Sequence, residues 1–78
     1  MMTYKEFEGL CAKELITERN SDNPRELTEY LKDEASQEIL RRFYQKGTER
    51  YKNGTKHDNK IAFGYCITTA AENLSLMY

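Results

Sequence analysis

The sequence predicts an all-α fold, a small three- or four-helix bundle with the last helix central. Three observations predict it: four segments whose apolar residues recur every three or four positions, two helix-start signatures, and an Asn-Gly stop after the third segment. With 78 residues, 38% apolar and 32% charged, there is room for one thin core, so 1–78 reads as a single domain. A core of that size leaves a margin of stability that self-association or a partner would supplement.

The first helix spans about residues 4–19. Thr3 and Glu6 form a T-x-x-E capping box, in which a hydroxyl and a carboxylate each take up an orphan backbone donor. Met2 and Phe7 stand at hydrophobic-staple spacing around that cap, and Tyr4, Phe7, Cys11 and Leu15 share one face. Asn20 and the following SDNP end the helix. Asn23 and Pro24 start the next one: Asn23 caps, and Pro24 suits a first position whose N–H has no helical partner.

No proline or glycine interrupts the chain between Pro24 and Gly47, which invites one long helix. The apolar phase argues against it. Leu27, Tyr30, Leu31 and Ala35 fall on nearly the opposite side from Ile39, Leu40, Phe43, Tyr44, Gly47 and Tyr51. A break near 33–36, with Asp33 or Ser36 as the new cap, lets both groups turn inward and gives helices 24–33 and 36–52. Asn53 and Gly54 stop the latter, glycine accepting the left-handed conformation common at helix ends.

Asp58 caps the last helix, about 59–77. Phe63, Cys66, Ile67, Ala70, Leu74 and Met77 form one stripe, with Ile61, Tyr65 and Leu76 on the other side. Apolar residues on two sides place this helix in the middle of the bundle. The run 61–67 is also rich in strand-favouring residues, so a short strand there is the lesser alternative. Gly64 marks a close approach, either of a partner's backbone or of a neighbouring helix.

Little in the chain supports chemistry. Cys11, Cys66 and His57 belong to three separate elements and form no metal-ligand spacing, so no metal site is expected. The two cysteines read as buried reduced thiols. No glycine-rich phosphate loop or base-and-nucleophile arrangement is present, so no catalytic residues, cofactor or enzymatic activity are expected. No charged leader and apolar run open the chain, and its least polar stretch, 61–71, is far short of the roughly 20 residues of a bilayer span. These features predict a cytoplasmic protein with no membrane partner.

Charge carries the one functional signal. The net charge is −1, yet residues 41–60 hold seven Lys/Arg against two acids, while residues 1–40 hold five against ten. Arg41, Arg42, Lys46, Arg50 and Lys52 are expected to project opposite the apolar stripe of the third helix, flanked by Tyr44 and Tyr51. Glu38 and Glu49 share that surface, and Glu38 can pair with Arg42 four positions on. Arginine and tyrosine supply much of the energy at protein interfaces, which makes Arg41, Arg42, Tyr44, Lys46, Arg50 and Tyr51 the expected contacts of a protein-binding module. By analogy of size and composition, such a module would be an adaptor, regulator or inhibitor, including one carried by a mobile element. The alternative is a small nucleic-acid-binding protein that uses the same basic face. A helix-turn-helix is not apparent: the turn at 33–36 lacks glycine and no helix carries a base-reading set. A homodimer is compatible with either reading.

Overall fold

A computed structural model describes residues 1–19, 29–54 and 58–77, with the side chains of residues 18 and 19 left undescribed. Three helices dominate: α1, Tyr4–Arg19; α2, Glu34–Asn53; and α3, Asn59–Met77. The described residues contain no strand, and the helices pack into a small all-α bundle. The Asn23–Pro24 start and residues 24–28 of the expected second helix lie outside the described residues, as does His57.

The start of α1 follows the capping signature with one change. The Glu6 amide donates to Thr3 Oγ1 at 3.1 Å, as a cap requires. The Glu6 carboxylate, however, accepts from the Thr3 hydroxyl at 3.0 Å. Met2 and Phe7 are both buried in the core cluster, where the staple spacing put them. Phe7, Cys11 and Leu15 are fully buried along one side of α1, with Tyr4 half-buried above them.

The break before α2 is present. Residues 29 and 30 are helical, the Lys32 and Asp33 amides bond back to the Glu29 and Tyr30 carbonyls at 3.1 Å each, and α2 then starts afresh. Asp33 is its N-cap residue, extended at φ −64° and ψ 144°, and its carbonyl accepts from the Gln37 amide at 2.9 Å. Ser36 is no cap. It is fully buried inside α2, because Ser36, Leu40, Phe43 and Gly47 recur at the 4-3-4 spacing of a buried stripe. Ala35, one step away, is exposed instead of turning inward. Gly54 ends α2 at φ −78° and ψ 150°, which is extended and not left-handed. Glycine is needed there for room: a Cβ would stand 2.9 Å from the Arg50 carbonyl oxygen.

Asp58 caps α3 by accepting from the Lys60 amide at 2.8 Å, while its carbonyl accepts from the Ala62 amide at 2.9 Å. The strand alternative for 61–67 is not taken. Ala62, Phe63, Cys66, Ala70, Ala71 and Leu74 are all buried, and only helical winding brings those positions to one side. The β-branched Thr68 fits this helix by bonding its hydroxyl to the Gly64 carbonyl at 3.2 Å.

α3 is the central helix. It packs along both α1 and α2, which touch each other mainly at one end. There the Phe7, Tyr44 and Phe63 rings, one from each helix, meet with centroids 5.6–6.1 Å apart. The expectation of centrality was right, but its stated cause was not. Ile61, Tyr65, Leu76 and Met77 are exposed, so α3 holds its place with a single face. The tight approach is also made by a different glycine. Phe63 lies flat on Gly47, where any Cβ would overlap the ring, whereas Gly64 has nothing within 4 Å of an added Cβ.

Polar side chains tie down the end where α1 meets α2. Gln37 accepts from the Tyr4 hydroxyl at 2.7 Å and donates to Glu8 at 2.8 Å and to the Leu31 carbonyl at 2.6 Å. The Tyr44 hydroxyl donates to the Met2 carbonyl at 2.8 Å, and the Met2 amide donates to Asn59 Oδ1 at 2.8 Å. Glu8 and burial together hold the Tyr4 phenol above its ordinary range, burial being the larger cause.

Candidate functional site

The six residues expected to contact a partner separate into three groups. Tyr44 and Tyr51 turn inward. Tyr44 is half-buried, ring to ring with Tyr4 at 5.4 Å and bonded to Met2 through its hydroxyl, and Tyr51 is packed against the core. Both lie near the buried stripe of α2 and are half-buried against the bundle.

Arg41 and Arg42 lie on the outer side of α2, exposed and already accompanied. Arg41 reaches back to Glu34 at 2.7 Å, and Arg42 stands 4.0 Å from Glu38, the pairing expected from their spacing. Both pairs are more than half exposed, where water and salt leave an ion pair little net energy.

Lys46 and Arg50 form the third group, and they do not project opposite the apolar stripe. At about 100° per residue they stand on the flank of α2 that includes Ile39 and Phe43. Lys46 lies over the Phe43 ring at 5.1 Å. Arg50 crosses to α3 and lies over the Tyr65 ring at 5.7 Å. Arg42, Lys46 and Arg50, four positions apart, thus run along one flank of α2, while Arg41 and Lys52 stand on the other.

What the flank does form is a mixed surface with α3. Tyr65 is 65% exposed although Arg50 covers one side of its ring, and Ile61, one turn earlier, is 61% exposed. Exposed guanidinium, phenol and branched aliphatic side chains stand side by side on two helices that approach closely at Gly47 and Phe63. The sequence had placed Ile61 and Tyr65 in the interior. The signal that would have found them is geometric: two neighbouring helices cannot cover an apolar band on both sides of α3.

The thiols are inaccessible. Cys11 and Cys66 are free and buried in the same cluster, one on α1 and one on α3. Burial pushes the Cys11 thiol up to about 12, helped by Cys66, Glu14 and Glu8. Burial also raises Cys66, against the opposing pull of Arg50 and Lys46. Such groups are poor nucleophiles at neutral pH. Among the described residues no three His, Cys, Asp or Glu side chains converge as metal ligands, and no helix is long and apolar enough to cross a membrane. A cavity of about 260 Å³ opens between α1 and the turn before α2, lined by Ala12 and Leu31 with Lys5, Glu8, Lys32 and Gln37 at its rim. Comparison with protein-family models, with curated proteins and with solved structures yields no match for this chain.

Proposed function

We propose that this chain is a non-enzymatic protein-binding module, an adaptor, regulator or inhibitor that acts by occupying a partner's surface. The observation that carries this reading is the exposed Arg50–Tyr65 stack with Ile61 beside it. Arginine and tyrosine held in fixed positions next to an aliphatic side chain are the composition of an interface hot spot, because little side-chain freedom remains to be lost on binding. Lys46 extends the cationic edge of this surface, and Arg42, one turn before Lys46, belongs to its outer rim. A complementary partner presents a carboxylate for Arg50 and an apolar hollow for Tyr65 and Ile61.

The test is capture of a partner from native cell extract by the immobilised protein, followed by variants. Tyr65→Ala and Arg50→Glu should each abolish capture, while Arg42→Glu should leave most of it. Capture unchanged by Tyr65→Ala and Arg50→Glu would remove this surface from the proposal.

Nucleic-acid binding by the same basic segment remains the competing reading, and two features weigh against it. Glu34 and Glu38 already accompany Arg41 and Arg42, and Arg41 and Lys52 stand on the other side of α2 from Lys46 and Arg50. Binding to duplex DNA with log affinity falling at a slope of about −4 to −5 against log salt would favour it.

A further inference from the structure

The exposed apolar residues of α3 extend beyond the Arg50–Tyr65 stack. Ile61, Tyr65, Thr68, Glu72 and Leu76 recur at spacings of four, three, four and four, which sets them on one side of α3, directly away from the core. Leu76 is 88% exposed, more than any other large apolar side chain among the described residues. The stripe thus has an aliphatic residue at each end and an aromatic and a carboxylate between them.

That order is complementary to itself when reversed. If a second α3 lies antiparallel across the first, with the two-fold axis between Thr68 and Thr69, then Ile61 faces Leu76 of the other copy and Tyr65 faces Glu72 of the other copy. Arg50 lies over Tyr65, so the incoming Glu72 arrives beside a guanidinium, and symmetry makes the same pair twice. Glu72 is exposed and has no ion pair within its own copy among the described residues. Only small threonine side chains stand at the crossing point, so the two helices can approach closely there.

We infer that the outward stripe of α3 is a self-association surface, and that a second copy of this chain is its occupant, antiparallel, with two Arg50–Glu72 pairs fixing the register. This rests on the reading of the Arg50–Tyr65 stack as a contact surface and names one occupant for it. Since both contacts use that stack, a second copy and a different protein exclude one another there. A stripe one helix wide and about 22 Å long is smaller than the roughly 800 Å² a side of standard interfaces, so the pair is weak, with a dissociation constant of about 10 to 500 µM.

Sedimentation equilibrium of the purified chain over that concentration range tests the inference. The expected result is a reversible monomer–dimer equilibrium, abolished by Leu76→Asp, a change at a fully solvated position that the fold does not need. Arg50→Glu alone and Glu72→Arg alone should each weaken the dimer about tenfold, because each creates two like-charge contacts. An equimolar mixture of these two variants should dimerise about as well as the wild type, since mixing restores both opposite-charge pairs. A chain that stays monomeric at about 1 mM overturns the inference, as does a mixture that dimerises no better than its separate components. A chain that stays monomeric yet captures a partner in a Tyr65-dependent way fails this inference alone, whereas a chain that dimerises but whose partner capture is unchanged by Tyr65→Ala and Arg50→Glu fails the wider reading alone.

Discussion

Gly47 and Gly64 occupy neighbouring helices, and the structure gives them opposite roles. Gly47 exists to admit a ring: Phe63 packs against it, and a Cβ there would displace one of the two largest fully buried side chains of the core. Gly64 is half-exposed in the middle of α3, with open space where a Cβ would go. Gly47→Ala should therefore destabilise the fold by about 1–3 kcal/mol through overpacking. Gly64→Ala should stabilise it by about 0.5–1 kcal/mol, because alanine loses less backbone freedom in a helix and meets no neighbour. Urea denaturation midpoints of the two variants should move in opposite directions, and shifts of the same sign would show that one of these environments is wrong. The sequence marked Gly64 as the close approach because it interrupts an apolar run. Nothing local distinguishes Gly47, whose role depends on a ring sixteen positions further along the chain.

Between elements, the seam of α1 with α3 carries both thiols, and it should register as a pH limit. The Cys11 thiol has an ordinary value near 9.0 in the unfolded chain and about 12 in the fold. A folded value above the unfolded one means stability is fully present below pH 9 and is lost as the pH rises from there toward 12. The slope approaches about 1.4 kcal/mol per pH unit for this group. Thermal melts between pH 9 and 11 should show that decline, and Cys11→Ala, though less stable overall, should show a shallower one. An unchanged slope would locate the alkaline sensitivity elsewhere. Much of the element plan was legible in the sequence, because helix starts and phase breaks are local chemistry: Thr3 with Glu6, Asp58, and the reversal across 31–36 each declare themselves within a few residues. What was not legible depended on which helices exist to cover a face. Ser36 looked like a cap until Leu40, Phe43 and Gly47 placed it on a buried stripe, and Ile61 with Tyr65 looked internal, although among the described residues two helices flank α3 and leave both exposed. Arg50 and Lys46 were legible as exposed cations, but the ring that Arg50 lies over, Tyr65, belongs to another helix and could not be read along one.

For the molecule as a whole, the decisive fact is that α1 and α2 communicate mostly through α3. The bundle is elongated, 39 × 22 × 19 Å, and along its length the apolar faces of α1 and α2 pack chiefly on the buried face of α3 between Ala62 and Leu74. A chain ending at residue 58 should therefore lose the fold, with far-UV circular dichroism falling to that of short isolated helices, which are marginal in water. Retention of most of the helical signal in that truncated chain would mean α1 and α2 sustain each other. The same arrangement has a consequence in time. A ribosome makes the chain from α1 onward at about 5–20 residues per second, so Phe7, Leu15, Leu40 and Phe43 wait uncovered for seconds until α3 leaves the exit tunnel. Packing of α1 and α2 against their main neighbour therefore waits for α3, and until then their apolar faces are open to whatever holds such segments in the cell.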